Sequence, residues 1–320
     1  MTFFDTAMRP VIVAASHSDR IKNSSQRLGV TRRVVERFVP GETQRDVLGA
    51  IGTQLDAGLS VSVDVLGEDT TDESQATATV EAYLDLIGAL GALPESGVAT
   101  ARLEVSVKLT ALGQSLADHG AKIAEENART IAAAADEAGV LVTVDAEDHT
   151  TVDERLAIVR ALRRDFPDVG TVLQAYLRRT EDDCAEFAET AARIRLCKGA
   201  YAEPPSVAYP TRDLVDEAYQ RCLRILMKGN GYPMVASHDP VMIAAARTIA
   251  VEAQRTPDSW EHQMLYGIRA DEQRRLADDG FRVRVYIPYG EQWYGYFVRR
   301  IAERPANLGF FLRALAGSRG

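Results

Sequence analysis

From Leu59 onward, eight short runs rich in β-branched residues recur along the chain, each followed by a longer stretch with helical spacing, and no internal repeat relates them. This alternation constrains the fold more than any other feature, because parallel neighbouring strands need crossovers of about a dozen residues or more, which helices supply. Strands are expected at 59–66, 102–109, 141–145, 169–175, 194–198, 234–237, 261–264 and 281–287. Helices are expected at 74–90, 120–138, 152–164, 181–192, 211–228, 240–253, 271–278 and 292–315. Eight βα units in order argue for an α/β protein built as a (β/α)8, TIM-like barrel, with a doubly wound open sheet as the alternative. Residues 1–58 read as an amphipathic N-terminal helical arm, in which Pro40-Gly41-Glu42-Thr43 suits the start of a helix over 44–57. Two regions follow: the arm, 1–58, and the barrel, 59–320.

A chain of 320 residues with 46% hydrophobic content can bury one large core, and such a barrel needs about 250 residues. The balance of 37 basic against 46 acidic residues gives a net charge of −9, which repels phosphate backbones and argues against nucleic acid as a partner. No apolar run approaches the roughly 20 residues of a spanning helix, and MTFFDTAMRP has no signal-peptide pattern, so a cytoplasmic protein is expected. Cys184, Cys197 and Cys222 lack CxxC spacing and the five histidines are scattered, so neither a disulfide framework nor a metal site is expected.

In a barrel, catalytic groups sit where the strands run out at the C-terminal face. Here the strand ends are loaded: Ser106-Val107-Lys108, Asp145-Ala146-Glu147, Gln174, Arg195 through Lys198-Gly199-Ala200-Tyr201, Ser237-His238-Asp239 and Gln263. One polar residue at a strand end is ordinarily a solvent-facing residue; so many together point to a site. Lys108, Arg195, Lys198, Arg299 and Arg300 against Asp145 suggest a mouth that favours anions, either a small carboxylate or a phosphorylated cofactor. Gly199-Ala200 lets the backbone approach a ligand closely. No GxGxxG opens a helix after a strand, and the GALG run at Gly88–Gly91 reads as a helix cap. In the last stretch, Arg299 and Arg300 form a divergent fork with Tyr296 one turn before, which suits a bidentate grip on a carboxylate. The plain alternative there is a solvated basic face paired to Glu303. Lys198 also admits a Schiff-base role in an aldolase-type barrel, and a non-catalytic anion-binding barrel is the third reading.

Seven ordered runs carry a family resemblance: SVKLTALG (106–113), VDAED (144–148), LQAYLRRT (173–180), RLCKGAY (195–201), SHD (237–239), QMLYGIR (263–269) and VYIPYGEQWYGYFVRRIAERPAN (285–307). Together they resemble the motif set of the proline dehydrogenases, in register over about 59–313. The resemblance implies a distorted (β/α)8 barrel with non-covalent FAD that oxidises L-proline to Δ1-pyrroline-5-carboxylate, hydride passing from C5 to flavin N5 and electrons to a quinone. The length is similar to that of the short monofunctional members, which implies hand-over of the product to a separate pyrroline-5-carboxylate dehydrogenase and at most peripheral contact with the inner face of the membrane. By the same resemblance, Asp145 and Arg195 are catalytic, and Arg299 and Arg300, helped by Lys108, clamp the substrate carboxylate. Tyr286 and Tyr296 line the substrate pocket, with Leu265 as an apolar wall. FAD contacts fall on Ala146, Gln174, Arg195, Lys198, Gly199, Ala200, Ser237 and His238, with Tyr201 as a mobile cover. Two departures are Cys197, where Val is common, and Ser237-His238, where Thr-His is frequent. Hydroxyproline is the second candidate substrate, and the bulk of Tyr286 argues against it.

Overall fold

The structure, a computed structural model, describes residues 37–67, 70–93, 100–293 and 296. In chain order its principal elements are α1 (Gln44–Asp56), β1 (Ser60–Val65), α2 (Glu73–Gly91), β2 (Leu103–Val107), α3 (Gly120–Ala138), β3 (Leu141–Val144), α4 (Val152–Leu162), β4 (Gly170–Gln174), α5 (Thr180–Ala188), β5 (Arg193–Cys197), α6 (Arg212–Lys228), β6 (Tyr232–Ala236), α7 (Pro240–Glu252), β7 (Glu261–Leu265), α8 (Ala270–Asp278) and β8 (Val283–Tyr289). All eight strands are parallel and lie in sequence order, and β1 pairs with β8 through Val61↔Val285 and Val63↔Ile287. The sheet is therefore a closed barrel and not an open doubly wound one.

One face of each strand carries the apolar side chains that the helices cover. Val61, Val63, Leu103, Val105, Val142, Val285 and Ile287 belong to one buried cluster with Leu86, Leu90, Ile131 and Leu162. A second cluster, under α5, α6 and α7, includes Ile194, Leu196, Val235, Phe187, Leu223 and Ile249. Burying each Leu, Ile or Val contributes about 1.5–3 kcal/mol, so these shells hold the barrel shut around whatever its interior contains.

Helix α1 belongs to this packing. Thr43 caps it in a box with Asp46: its hydroxyl accepts from the Asp46 amide, and its own amide donates to the Asp46 carboxylate at 3.1 Å. Val47, Ile51 and Leu55 then join the cluster around Val61 and Val285, and the helix lies against β1 and β8, where the helix after β8 sits in a regular barrel. Of the expected helix at 292–315 only Gln292, Trp293 and Tyr296 are described: Gln292 stands in a turn, while Trp293 and Tyr296 are helical and buried, and Trp293 Nε1 donates to Glu42 at 2.8 Å.

Differences from the sequence expectation are local. β6 begins at Tyr232 and runs through Pro233, and β8 continues through Pro288 to Tyr289. Proline carries no ladder donor but keeps its carbonyl, and the pairing resumes at once: the Leu66 amide donates to the Tyr289 carbonyl at 2.8 Å. The Gly88–Gly91 run is not a left-handed cap. Gly91 is the last residue of α2, Ala92 caps it in right-handed geometry, and a Cβ on Gly91 would meet the Ala138 methyl at 2.9 Å, so the glycine allows α2 to approach α3.

Candidate active site

Parallel strands covered on the outside usually present bulky apolar residues to the barrel interior as well. Here the inward positions are ionisable. Glu104 on β2 sits 2.8 Å from Arg193, 2.6 Å from Arg195 and 4.0 Å from Arg284, and Arg284 pairs with Glu261 at 2.7 Å. Burial alone would raise the Glu104 carboxyl, but Arg284, Arg193 and Arg195 together hold it well below the usual carboxylate range.

Arg195 is the hub. Its Nε donates to Gln263 at 2.5 Å, Nη1 to Ser106 at 2.9 Å and Asp145 at 2.6 Å, and Nη2 to Ser62 at 3.0 Å and Glu104 at 2.6 Å. All five N–H groups of the guanidinium are satisfied, by residues on or at the ends of β1, β2, β3 and β7, so its plane is fixed. Burial pushes this guanidinium down, and Asp145 and Glu104 outweigh burial, so its affinity for a proton is raised.

Above this layer the strand tips converge. Asp64, fully buried on β1, accepts from Lys108 Nζ at 2.6 Å and from the Tyr286 hydroxyl at 2.7 Å. The same hydroxyl lies 3.0 Å from Asp145, and the Arg195 guanidinium carbon stands 5.4 Å from the Tyr286 ring centre. A hydroxyl has one hydrogen, so two carboxylates compete for it. Burial, opposed by Lys108, raises the Asp64 carboxyl; burial, Asp145 and Asp64 push the Tyr286 hydroxyl well up, keeping it a donor. Tyr83 on α2 steadies the group from outside, donating to the Ser106 carbonyl at 2.6 Å.

Lys108, Asp145, Arg195 and Tyr286 thus meet at one place. Arg299 and Arg300 lie outside the described residues, and Tyr296 is buried beside them in sequence. The expected excess of positive charge is absent from the described part of the mouth. At the tips Asp64 and Asp145 stand against Lys108 and Arg195, and in the layer below Glu104 and Glu261 stand against Arg193 and Arg284, all eight buried. Lys198 is likewise paired, with Asp216 and, at 2.8 Å, with Asp239, the N-cap of α7.

The residues expected to meet the cofactor stand at the neighbouring tips of β3 to β6. Gln174 Nε2 donates to the Glu147 carbonyl at 3.1 Å, while its Oε1 is buried with no donor. An orphaned acceptor costs about 1–3 kcal/mol, and the imide N–H of a flavin ring is the kind of group that would satisfy it. Ala146 is half-buried and follows the last residues of β3. Ser237 accepts from the Asp239 amide at 3.1 Å, and His238 Nε2 accepts from the Leu265 amide at 2.8 Å, which leaves Nδ1 as its N–H. Gly199 has φ +108°, a conformation that favours glycine, and its neighbour Ala200 follows in the same turn. The buried chemistry of β3 to β6 fits a flavin.

The sequence reading missed Asp64, Glu104 and Glu203. A signal existed for the first two: acidic residues at inward spacing within β-rich runs that both faces of a parallel barrel should bury.

A closed α/β barrel whose C-terminal mouth gathers a lysine, an arginine, two carboxylates and a tyrosine is a barrel enzyme for a small charged substrate. A family model described as proline dehydrogenase matches residues 47–313. The chain is 35% identical over 308 residues to proline dehydrogenase 1 of Bacillus subtilis (strain 168), covering 96% of this chain and 99% of that protein. It is 39% identical over 284 residues to a proline dehydrogenase of Deinococcus radiodurans, covering 88% of this chain and 90% of the other. Among solved structures, proline utilization A from Bdellovibrio bacteriovorus, inactivated by N-propargylglycine, superposes with a TM-score of 0.80 at 27% identity, covering 85% of this chain and 33% of that one. The chain belongs to the proline dehydrogenase family.

Proposed function

We propose that the enzyme oxidises L-proline to Δ1-pyrroline-5-carboxylate at the barrel mouth, with non-covalent FAD as cofactor and a quinone as the final acceptor. The observation that carries the reading is the linked array Lys108, Asp64, Tyr286, Asp145 and Arg195 at the tips and upper interior of β1, β2, β3, β5 and β8. FAD, when bound, supplies the acceptor for a hydride from substrate C5.

The chain's own residues do the rest. Proline loses a hydride readily only when its amine is unprotonated, and the Asp145–Tyr286–Asp64 chain of oxygens can hold the departing proton. Lys108, fixed by Asp64, presents an ammonium to the substrate carboxylate, and Arg299 and Arg300 are the residues proposed to clamp it, a positioning role that aligns C5. Arg195 has no free donor, so what it would offer a bound flavin is positive charge. Gln174, Ala146, Lys198, Gly199, Ala200, Ser237 and His238 are the proposed cofactor contacts. Tyr286 restricts the ring of the substrate, and its hydroxyl is already engaged by two carboxylates, which leaves a hydroxyproline hydroxyl without a partner.

An aldolase-type reading is not favoured, because Lys198 is engaged by Asp216 and Asp239 and the family evidence points elsewhere. The product passes to a separate dehydrogenase in this proposal, and membrane contact, where it occurs, is peripheral; among the described residues no helix is long and apolar enough to cross a membrane.

The test is turnover with a soluble quinone. Wild type should form pyrroline-5-carboxylate from L-proline and prefer it over trans-4-hydroxy-L-proline by more than about tenfold in kcat/KM. Equal use of both substrates would contradict the assignment of Tyr286, and borohydride trapping of a carbonyl on Lys198 would favour the aldolase.

A further inference from the structure

The turn after β5 that is proposed to meet the cofactor does not stand alone. Glu203, four residues beyond Gly199, has a side chain only 4% exposed. Its Oε1 accepts from the His149 amide at 2.9 Å and from the Tyr176 hydroxyl at 3.1 Å, and Oε2 contacts His149 Nδ1. One buried carboxylate therefore ties together the loops that follow β3, β4 and β5.

Tyr176 carries that tie to the turn. A Cβ on Gly199 would lie 2.2–2.5 Å from the Tyr176 ring, so the ring packs directly against the glycine backbone. The backbones are joined as well: the Tyr176 amide donates to the Lys198 carbonyl and the Tyr209 amide to the Tyr176 carbonyl, both at 2.8 Å. Burial, then Glu203, pushes the Tyr176 hydroxyl up, so it stays a donor. The ring cannot leave Gly199 while its hydroxyl is held.

We infer that Glu203 is a positioning residue for cofactor binding: through Tyr176 it fixes the Lys198-Gly199-Ala200 backbone in the shape that receives the cofactor, while touching neither cofactor nor substrate. The inference rests on the proposal that FAD binds at this turn. Lys108, which follows β2, and Tyr286 on β8, both proposed to meet the substrate, stand apart from the loops that Glu203 joins, so the effect should be on the cofactor and not on proline binding.

The experiment is dilution of the holoenzyme with release of FAD followed by flavin fluorescence, together with KM for proline at saturating FAD. Glu203→Ala should weaken FAD binding by about tenfold or more, since a charge-assisted hydrogen bond is lost, and Tyr176→Phe should reproduce most of that loss. The double variant should be within about twofold of Glu203→Ala, because both act along one path. Glu203→Gln, whose carbonyl oxygen still accepts from Tyr176 and His149, should recover FAD binding to within about threefold of wild type. KM for proline should be unchanged throughout. Wild-type FAD retention in Tyr176→Phe or Glu203→Ala, even with a lowered melting temperature, would overturn the inference and leave Glu203 a purely structural residue. Should Glu203→Ala not fold, Tyr176→Phe and Glu203→Gln decide the matter alone. A wild-type protein that carries no flavin at all would instead overturn the functional proposal beneath it.

Discussion

A single hydroxyl hydrogen on Tyr286 stands between Asp64 at 2.7 Å and Asp145 at 3.0 Å, and the chemistry of the mouth turns on that shortage. With Lys108 on one side and Arg195 on the other, the two carboxylates are held close without either being free. Tyr286→Phe keeps the ring and removes the bridge, leaving two buried carboxylates that repel each other. It should lower kcat/KM for proline by about ten- to a hundredfold, which corresponds to the loss of one hydrogen bond to a charged group. Steady-state kinetics across pH check this; wild-type values would mean that the hydroxyl only packs. The residue scale is also where the sequence was least informative. Asp145, Arg195, Lys108 and Tyr286 were visible because they stand near strand ends or in recognisable runs. Asp64 and Glu104 were not, because their meaning depends on partners such as Arg284, 180 residues further on from Glu104, which only closure of the barrel brings near.

At the scale of the element, β7 shows how one strand serves two environments. Glu261 and Gln263 point inward to Arg284 and Arg195, while His262 between them is buried outward with ring centres 4.6 Å from Trp260 and 5.7 Å from Phe281. Neither nitrogen of His262 has a hydrogen-bond partner, and burial, reinforced by Arg247, lowers its pKa to about 4. Its charged form is thus favoured only in the unfolded chain. Stability from this group is fully present above the unfolded value of about 6.5, and is lost as pH falls from there to about 4, by about 3 kcal/mol in all. Denaturant unfolding between those pH values should show wild type losing that much more stability than His262→Phe. Parallel curves for the two proteins would show that His262 does not titrate in this way. Strand and helix alternation was legible in sequence from β1 through β8, whereas the start of β6 at Tyr232 and the end of β8 at Tyr289 were not. Each strand runs through a proline, Pro233 or Pro288, because one missing donor is tolerated where the neighbouring pairs continue.

For the whole molecule, an acidic protein of net charge −9 builds a barrel in which the linked buried ions Asp64, Glu104, Asp145 and Glu261 are matched by Lys108, Arg193, Arg195 and Arg284. The fold class and the order of its strands followed from periodicity, and so did the capped helix at Gln44–Asp56. That this helix lies over the β8–β1 seam did not, since nothing local says which seam an early amphipathic helix will cover. The charge balance was also hidden, because counting cations at strand ends ignores acids within strands. The central claim is that the array at this mouth oxidises proline. The most direct measurement is the visible spectrum of the purified protein during anaerobic titration with L-proline, for wild type and for Asp145→Asn. The account predicts a yellow wild-type protein whose oxidised-flavin band bleaches on adding proline, with pyrroline-5-carboxylate formed in step, and a yellow Asp145→Asn protein that bleaches at least about tenfold more slowly. A colourless protein, or a flavin band that proline leaves unchanged, would contradict it.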